Sequence, residues 1–194
     1  MEQAAQATGA SRIAGIDEAG RGALAGPVVA AAVILSPRGR PPWRDSKQLD
    51  PQRRSELFQL LKESALIGIG SATAQEIDQL NILQATILAA TRAVAALAEP
   101  PDYLITDVLR LPLPLPQNPV VRGDQRSYSV AAASIVAKVT RDRLMLEVDQ
   151  RYPGYGFAAH KGYGTPEHLA ALGRLGPCVE HRRSFRPVVQ AGLF

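Results

Sequence analysis

Asp17 and Glu18 stand side by side at the end of an apolar run, and a glycine-rich turn, Ala19-Gly20-Arg21-Gly22, follows at once. Neighbouring side chains of a strand point to opposite faces, so two adjacent carboxylates converge only where the strand stops. Gly20 and Gly22 mark that stop. Clustered carboxylates repel and are costly to desolvate unless a hard cation such as Mg²⁺ neutralises them. Arg21 adds a planar donor suited to phosphate. Two more acids hold comparable places: Asp107 closes a short apolar run, and Asp124 lies beside Gly123 just before a long helical pattern. Four carboxylates on one edge of a sheet would hold two divalent cations about 4 Å apart, one activating water and one stabilising a leaving oxygen. The expected chemistry is hydrolysis of a phosphodiester. No paired histidine acid/base couple accompanies the acids, so a neighbouring ribose hydroxyl would be recognised rather than used as nucleophile.

The elements that must position these groups alternate along the chain. Arg12 to Asp17 and Pro27 to Leu35 read as strands joined as a hairpin. Asp50 and Pro51 form a helix start, with helical periodicity from Gln52 to Lys62. Leu66 to Thr73 reads as a third strand. Asp78 to Asn81 leads into a long Ala/Leu-rich helix ending before Pro100, and Tyr103 to Thr106 is a short buried strand closing on Asp107. Leu111 to Pro119 carries four prolines and is expected to be irregular, with one more strand at Val120 and Val121. Ser127 to Tyr152 reads as a long helix, and a short one lies near Pro166 to Leu172. The pattern predicts an α/β fold, a mixed sheet flanked by helices with ligands at strand ends.

Composition sets the frame. The 194 residues, 46% of them hydrophobic, suffice for one substantial core. The balance of 22 basic against 18 acidic residues gives a net charge of +4, which permits nucleic-acid binding. The single cysteine, Cys178, excludes an intramolecular disulfide and suits a reducing cytoplasm. No targeting segment is visible, and the run Val28 to Leu35 is too short to span a bilayer. A cytoplasmic monomer is expected.

Four segments, IDEAGRGALAGPVV from Ile16, DSKQL from Asp45, GDQRSYSVAAASIVAKVTRDR from Gly123 and HKGYGTPEH from His160, together resemble bacterial ribonuclease HII. The resemblance spans most of the chain. It implies a ribonuclease H-like fold, a mixed five-stranded sheet with flanking helices and a helical C-terminal extension: a catalytic domain over 1–152 and a segment over 153–194 completing the nucleic-acid surface of one compact unit. It implies cleavage of RNA in RNA/DNA hybrids and at single ribonucleotides embedded in duplex DNA. The family's metal-binding acids fall on Asp17, Glu18, Asp107 and Asp124, with Mn²⁺ or Mg²⁺ as the cation. Gly20, Arg21 and Gly22 match the loop whose backbone senses the 2′-hydroxyl, the group that separates RNA from DNA. Tyr163 matches a tyrosine that stacks on the sugar after the ribonucleotide. Lys47, Ser134, Lys138 and Lys161 fall at phosphate-contacting positions. The chain departs from the pattern where Val108 replaces the glycine expected after Asp107 and where Arg126 replaces a lysine. The terminal Gln190-Ala191-Gly192-Leu193-Phe194 weakly resembles a peptide that docks on the replication clamp.

Other readings account for less. Gly20-x-Gly22-x-x-Ala25 fits a dinucleotide fingerprint, but Pro27 and the β-rich run deny the helix it needs. Cys178-x-x-His181 is at best half a zinc site. His160 and His168 are expected at the surface near the nucleic acid, Lys138 and Arg141 on a basic helix face, and Asp142 and Glu147 in pairs with Arg141, Arg143 or Arg151. The alternatives are a ribonuclease H-like nuclease acting on DNA, which would lack the Gly20 to Gly22 loop, and a non-catalytic hybrid-binding protein, which would not need four carboxylates. A nucleotide-binding oxidoreductase is more distant.

Overall fold

The computed structural model describes residues 1–36 and 49–191. The hairpin is present. β1 (Ile13–Ala19) and β2 (Val28–Leu35) run antiparallel, with Asp17 opposite Ala31 and Glu18 opposite Ala30. β3 (Ala65–Ala72) pairs antiparallel with β2, whereas β4 (Tyr103–Asp107) runs parallel to β1 and β5 (Gln117–Val120) parallel to β4. The resulting order is β3-β2-β1-β4-β5, the expected mixed five-stranded sheet.

Helices cover both faces, which is why β2 reads as an unbroken apolar run rather than as an alternation. Ala30, Ala32 and Ile34 pack with Ala85, Ala89 and Ala93 of α4 (Ile82–Ala95). Ala31 and Val33 pack on the other side with Leu57 and Leu61 of α2 (Pro51–Ser64) and with Ala132 and Val136 of α6 (Tyr128–Arg151). α6 approaches β1 so closely that a methyl on Gly15 would stand 2.0 Å from the Ser129 carbonyl carbon. Only glycine fits there. The cap residues act as their types predict: Asp50 accepts the Arg53 N–H at 2.9 Å with Pro51 at the first helical position, and Ser127 accepts the Val130 N–H at 3.2 Å.

The structure corrects several boundaries. β1 runs two residues beyond Asp17, so both acids lie inside the strand. The lead-in to α4 is a separate helix, α3 (Ala74–Leu80), closed by a capping box between Thr73 and Glu76 and divided from α4 by Asn81 at φ 68°. The proline-rich stretch ends in β5, which takes in Pro119. An edge strand tolerates the missing N–H. Val121 lies outside the strand. The sequence reading missed α1 (Glu2–Gln6), α5 (Gly123–Arg126), α7 (Phe157–His160) and α9 (Arg186–Ala191), each too short to show a period, and α8 (Pro166–Leu175) runs longer than expected.

The C-terminal part packs against the β1–β2 connection. Leu24 N–H donates to Gly162 O at 2.7 Å and Gly26 N–H to Glu180 O at 2.8 Å, and Ala25 forms a bridge with His181. Among the described residues no helix is long and apolar enough to cross a membrane.

Candidate active site

β1 and β4 deliver the first acids. Ile16 is level with Thr106 across the parallel pair, so Asp17 and Asp107 follow next to each other at the C-terminal ends of adjacent strands and on one face. Ile16 packs in the α4-side core, which puts Asp17 on the α6 side. Asp17 is 4% exposed, and its carboxylate accepts the Glu18 N–H at 2.8 Å and a bond from the Ser134 hydroxyl of α6. Asp107 Oδ1 accepts the Gly123 N–H at 3.0 Å, which ties β4 to α5 and to the neighbouring, buried Asp124. Glu18 lines the adjoining cleft and pairs with Arg21 at 3.2 Å.

Burial raises the Asp17 pKa to about 7, reinforced by the charges of Glu18 and then Asp107. The acids therefore sense one another. Among the described residues, no three or more acidic, histidine or cysteine side chains are drawn together into a ready-made cage. The donor set is all carboxylate oxygen, the chemistry that Mg²⁺ and Mn²⁺ favour over softer ions. The residues present fit such a cation.

A cleft of about 390 Å³ opens beside the acids, lined by Glu18, Gly20, Arg21, Gly22, Arg54, Ser134, Lys138 and Tyr163. A second groove of about 470 Å³ shares Arg54 and Lys138 and adds Arg143 and Lys161. The structure thus brings together the Gly20 to Gly22 loop, Ser134, Lys138 and Tyr163, with Lys161 next door. Ser134 is buried and bonded to Asp17, so its hydroxyl is directed at a carboxylate as well as lining the cleft. Lys138 pairs with Asp142 at 2.7 Å. Lys161 Nζ donates to Ala158 O. The Tyr163 ring, 37% exposed, stands against the Arg141 guanidinium at 5.4 Å. Lys47 and Gly192 to Phe194 lie outside the described residues.

Three expectations fail here. His168 is fully buried and His181 is 1% exposed, with their Nε2 atoms 3.1 Å apart. His160 stacks on His168 at 4.4 Å beside Phe157. His168 and His181 thus belong to an aromatic core rather than to the surface, and His160 is half-buried at its edge. Arg141 is fully buried, not on a solvated face, and Asp142 takes Lys138 as its partner. Arg151 reaches Glu180, at 3.9 Å.

The sequence reading missed Arg54, Arg143 and Arg182. Arg54 carried a signal: it stands in register with the core stripe Leu57, Phe58 and Leu61 of α2. A cation on an apolar stripe marks a place where burial serves something other than packing. Arg143 and Arg182 had none, because their neighbours come from elsewhere in the chain.

Comparison with known proteins agrees with this fold. The family model described as Ribonuclease HII matches residues 14–188. A Ribonuclease HII of Geotalea uraniireducens is 56% identical over 192 residues, covering 97% of this chain and 88% of the relative. The solved ribonuclease H2 of Pyrococcus horikoshii superposes with a TM-score of 0.80 at 25% identity, over 94% of this chain and 97% of that one. A Bst-RNase HIII solved in complex with Mn²⁺ shares the fold at 18% identity, with a TM-score of 0.72 over 93% of this chain and 68% of that one.

Proposed function

The chain belongs to the ribonuclease HII family, and from that premise we propose that it is a metal-dependent endoribonuclease that hydrolyses the RNA strand of RNA/DNA hybrids. It cuts on the 5′ side of a single ribonucleotide embedded in duplex DNA and leaves a 3′-hydroxyl and a 5′-phosphate. The observation that carries this reading is the pair Asp17 and Asp107, side by side at two strand ends, with Glu18 and Asp124 close by and a cleft rimmed by cations and Tyr163.

Asp17, Glu18, Asp107 and Asp124 would hold divalent Mn²⁺ or Mg²⁺, which when bound supplies an activated water and charge stabilisation at the leaving oxygen. Ser134 and the Glu18 N–H orient the Asp17 carboxylate toward that site. The Gly123 N–H does the same for Asp107. Lys138 and Lys161, together with Arg54 and Arg143, hold phosphates of the strands on either side. N–H groups of the exposed Arg21 and Gly22 in the Gly20 to Gly22 loop meet the ribose 2′-hydroxyl, and the Tyr163 ring stacks on the sugar that follows.

Cleavage of an end-labelled DNA duplex carrying one ribonucleotide tests the reading, with all-DNA duplex and Asp107→Asn as controls. The expected result is a cut 5′ of the ribonucleotide in Mg²⁺ or Mn²⁺, absent in both controls and in chelator. Full activity in chelator would refute the metal-dependent mechanism. Cleavage of the all-DNA duplex would favour a DNA-directed nuclease.

A further inference from the structure

Two guanidinium groups lie wholly buried behind the cleft, and their hydrogen bonds go to backbone carbonyls. Arg182 Nη2 donates to Gly20 O at 2.7 Å and to Gly26 O at 2.9 Å, Nη1 to Arg21 O at 2.8 Å, and Nε to Gly26 O at 3.0 Å. Arg141 donates to Pro27 O, Lys161 O and Ala25 O at 2.9 to 3.1 Å. Both side chains are 0% exposed. A buried charge is expensive unless its donors are met, and here carbonyls of the β1–β2 connection meet them, joined for Arg141 by that of Lys161.

This arrangement has a direct geometric effect on the loop. A trans peptide is planar, with its C=O and the following N–H pointing in opposite directions. Arg182 draws the Gly20 carbonyl inward, so the Arg21 N–H points outward. It draws the Arg21 carbonyl inward as well, so the Gly22 N–H also points outward. Arg21 and Gly22 are both exposed and line the cleft, and neither N–H donates to a backbone carbonyl among the described residues. Arg141 underpins the same bend: Gly20 sits at φ 96°, and a Cβ there would stand 1.9 Å from Arg141 Nε.

We propose that Arg182 is a positioning residue for ribonucleotide recognition: it grips the Gly20 and Arg21 carbonyls from the buried side and so aims two consecutive N–H groups at the substrate's 2′-hydroxyl. This rests on the reading of the Gly20 to Gly22 loop as the ribonucleotide sensor. A lysine at 182 keeps the charge but is a single point donor, unable to span carbonyls on both sides of the bend.

The test compares Arg182→Lys with Gly22→Ala, whose added methyl would meet nothing within 4 Å and therefore leaves the fold intact while crowding the substrate side. Each is assayed on duplex DNA carrying one ribonucleotide, well below its melting temperature, and the amide signals of Arg21 and Gly22 are followed by NMR. The expected result for Arg182→Lys is a kcat lower by about 10- to 100-fold with KM unchanged, and displaced signals for both amides. Gly22→Ala also loses activity. If Gly22→Ala loses activity while Arg182→Lys keeps full kcat, the positioning role is overturned and the sensor reading stands. If both keep full kcat, the sensor reading fails and the proposal with it. Should Arg182→Lys be unfolded at the assay temperature, Arg182→Gln, neutral but still a two-proton donor, replaces it under the same expectations.

Discussion

Val108 follows Asp107 directly and has φ 64°, in the left-handed region where a β-branched residue is a rare occupant. An L-residue there costs about 1–2 kcal/mol, which glycine escapes. Glycine in turn forfeits about 0.5–1 kcal/mol of chain entropy relative to alanine. Val108 is 58% exposed, so truncating it removes little apolar contact. Comparing Val108→Gly with Val108→Ala cancels that contact and isolates the backbone. At an ordinary position alanine is the more stable of the two. Here the order should invert, with glycine ahead by roughly 0.5–1 kcal/mol, which for a chain of this size raises the melting temperature by about 1–4 °C. Thermal unfolding of both variants under identical conditions measures the difference. An alanine variant melting at or above the glycine variant would refute the reasoning, and with it the view that this loop stores strain beside the third acid.

Glu2 Oε1 accepts bonds from the Ser127 hydroxyl at 2.7 Å, the Ser129 hydroxyl at 2.9 Å and the Ser129 N–H at 3.0 Å, clamping α1 onto the start of α6. Glu2→Ala should cost about 2 kcal/mol in urea unfolding; a loss below about 0.5 kcal/mol would show the clamp to be idle. Burial raises the Glu2 pKa, but the Ser129 and Ser127 bonds outweigh it and the net shift is downward, so this contribution is present above about pH 4.5 and fades as the pH falls. Burial, followed by His168, lowers the His181 pKa to about 4. The unfolded chain takes up that proton near pH 6.5 while the folded one resists, so stability falls between about pH 6.5 and 4, by on the order of 3 kcal/mol. A His181→Asn variant should show a flatter pH dependence of melting across that window, and an unchanged slope would remove His181 as the cause. Gly15→Ala should lose about 3 kcal/mol or more, because its methyl would overlap the α6 backbone at Ser129 and Val130; normal melting of that variant would mean that α6 shifts freely.

The linear order of residue types was enough to identify β1 to β4 and the caps of α2 and α6, and to place Asp17 and Asp107 near strand ends, because each depends on neighbours within a few positions. The alternation and length of apolar runs placed Asp107 at a strand end, and Asp50-Pro51 and Ser127 marked helix starts by their own hydrogen-bonding chemistry. Short helices escaped, since four to six residues show no period, and β5 was foreseen only at Val120, because Pro119 argues against a strand until the strand is known to lie at the edge. What only the tertiary structure decided was which distant groups share a volume. That Asp17 and Asp107 are level follows from the parallel register of β1 and β4, which no local pattern encodes. The burial of Arg141, Arg182 and the His168–His181 pair arises where the C-terminal segment closes over the β1–β2 connection, so groups that look like surface charges along the chain become the inner supports of the cleft. Local propensity acts through a few adjacent bonds, whereas burial and charge coupling act through space between residues distant along the chain.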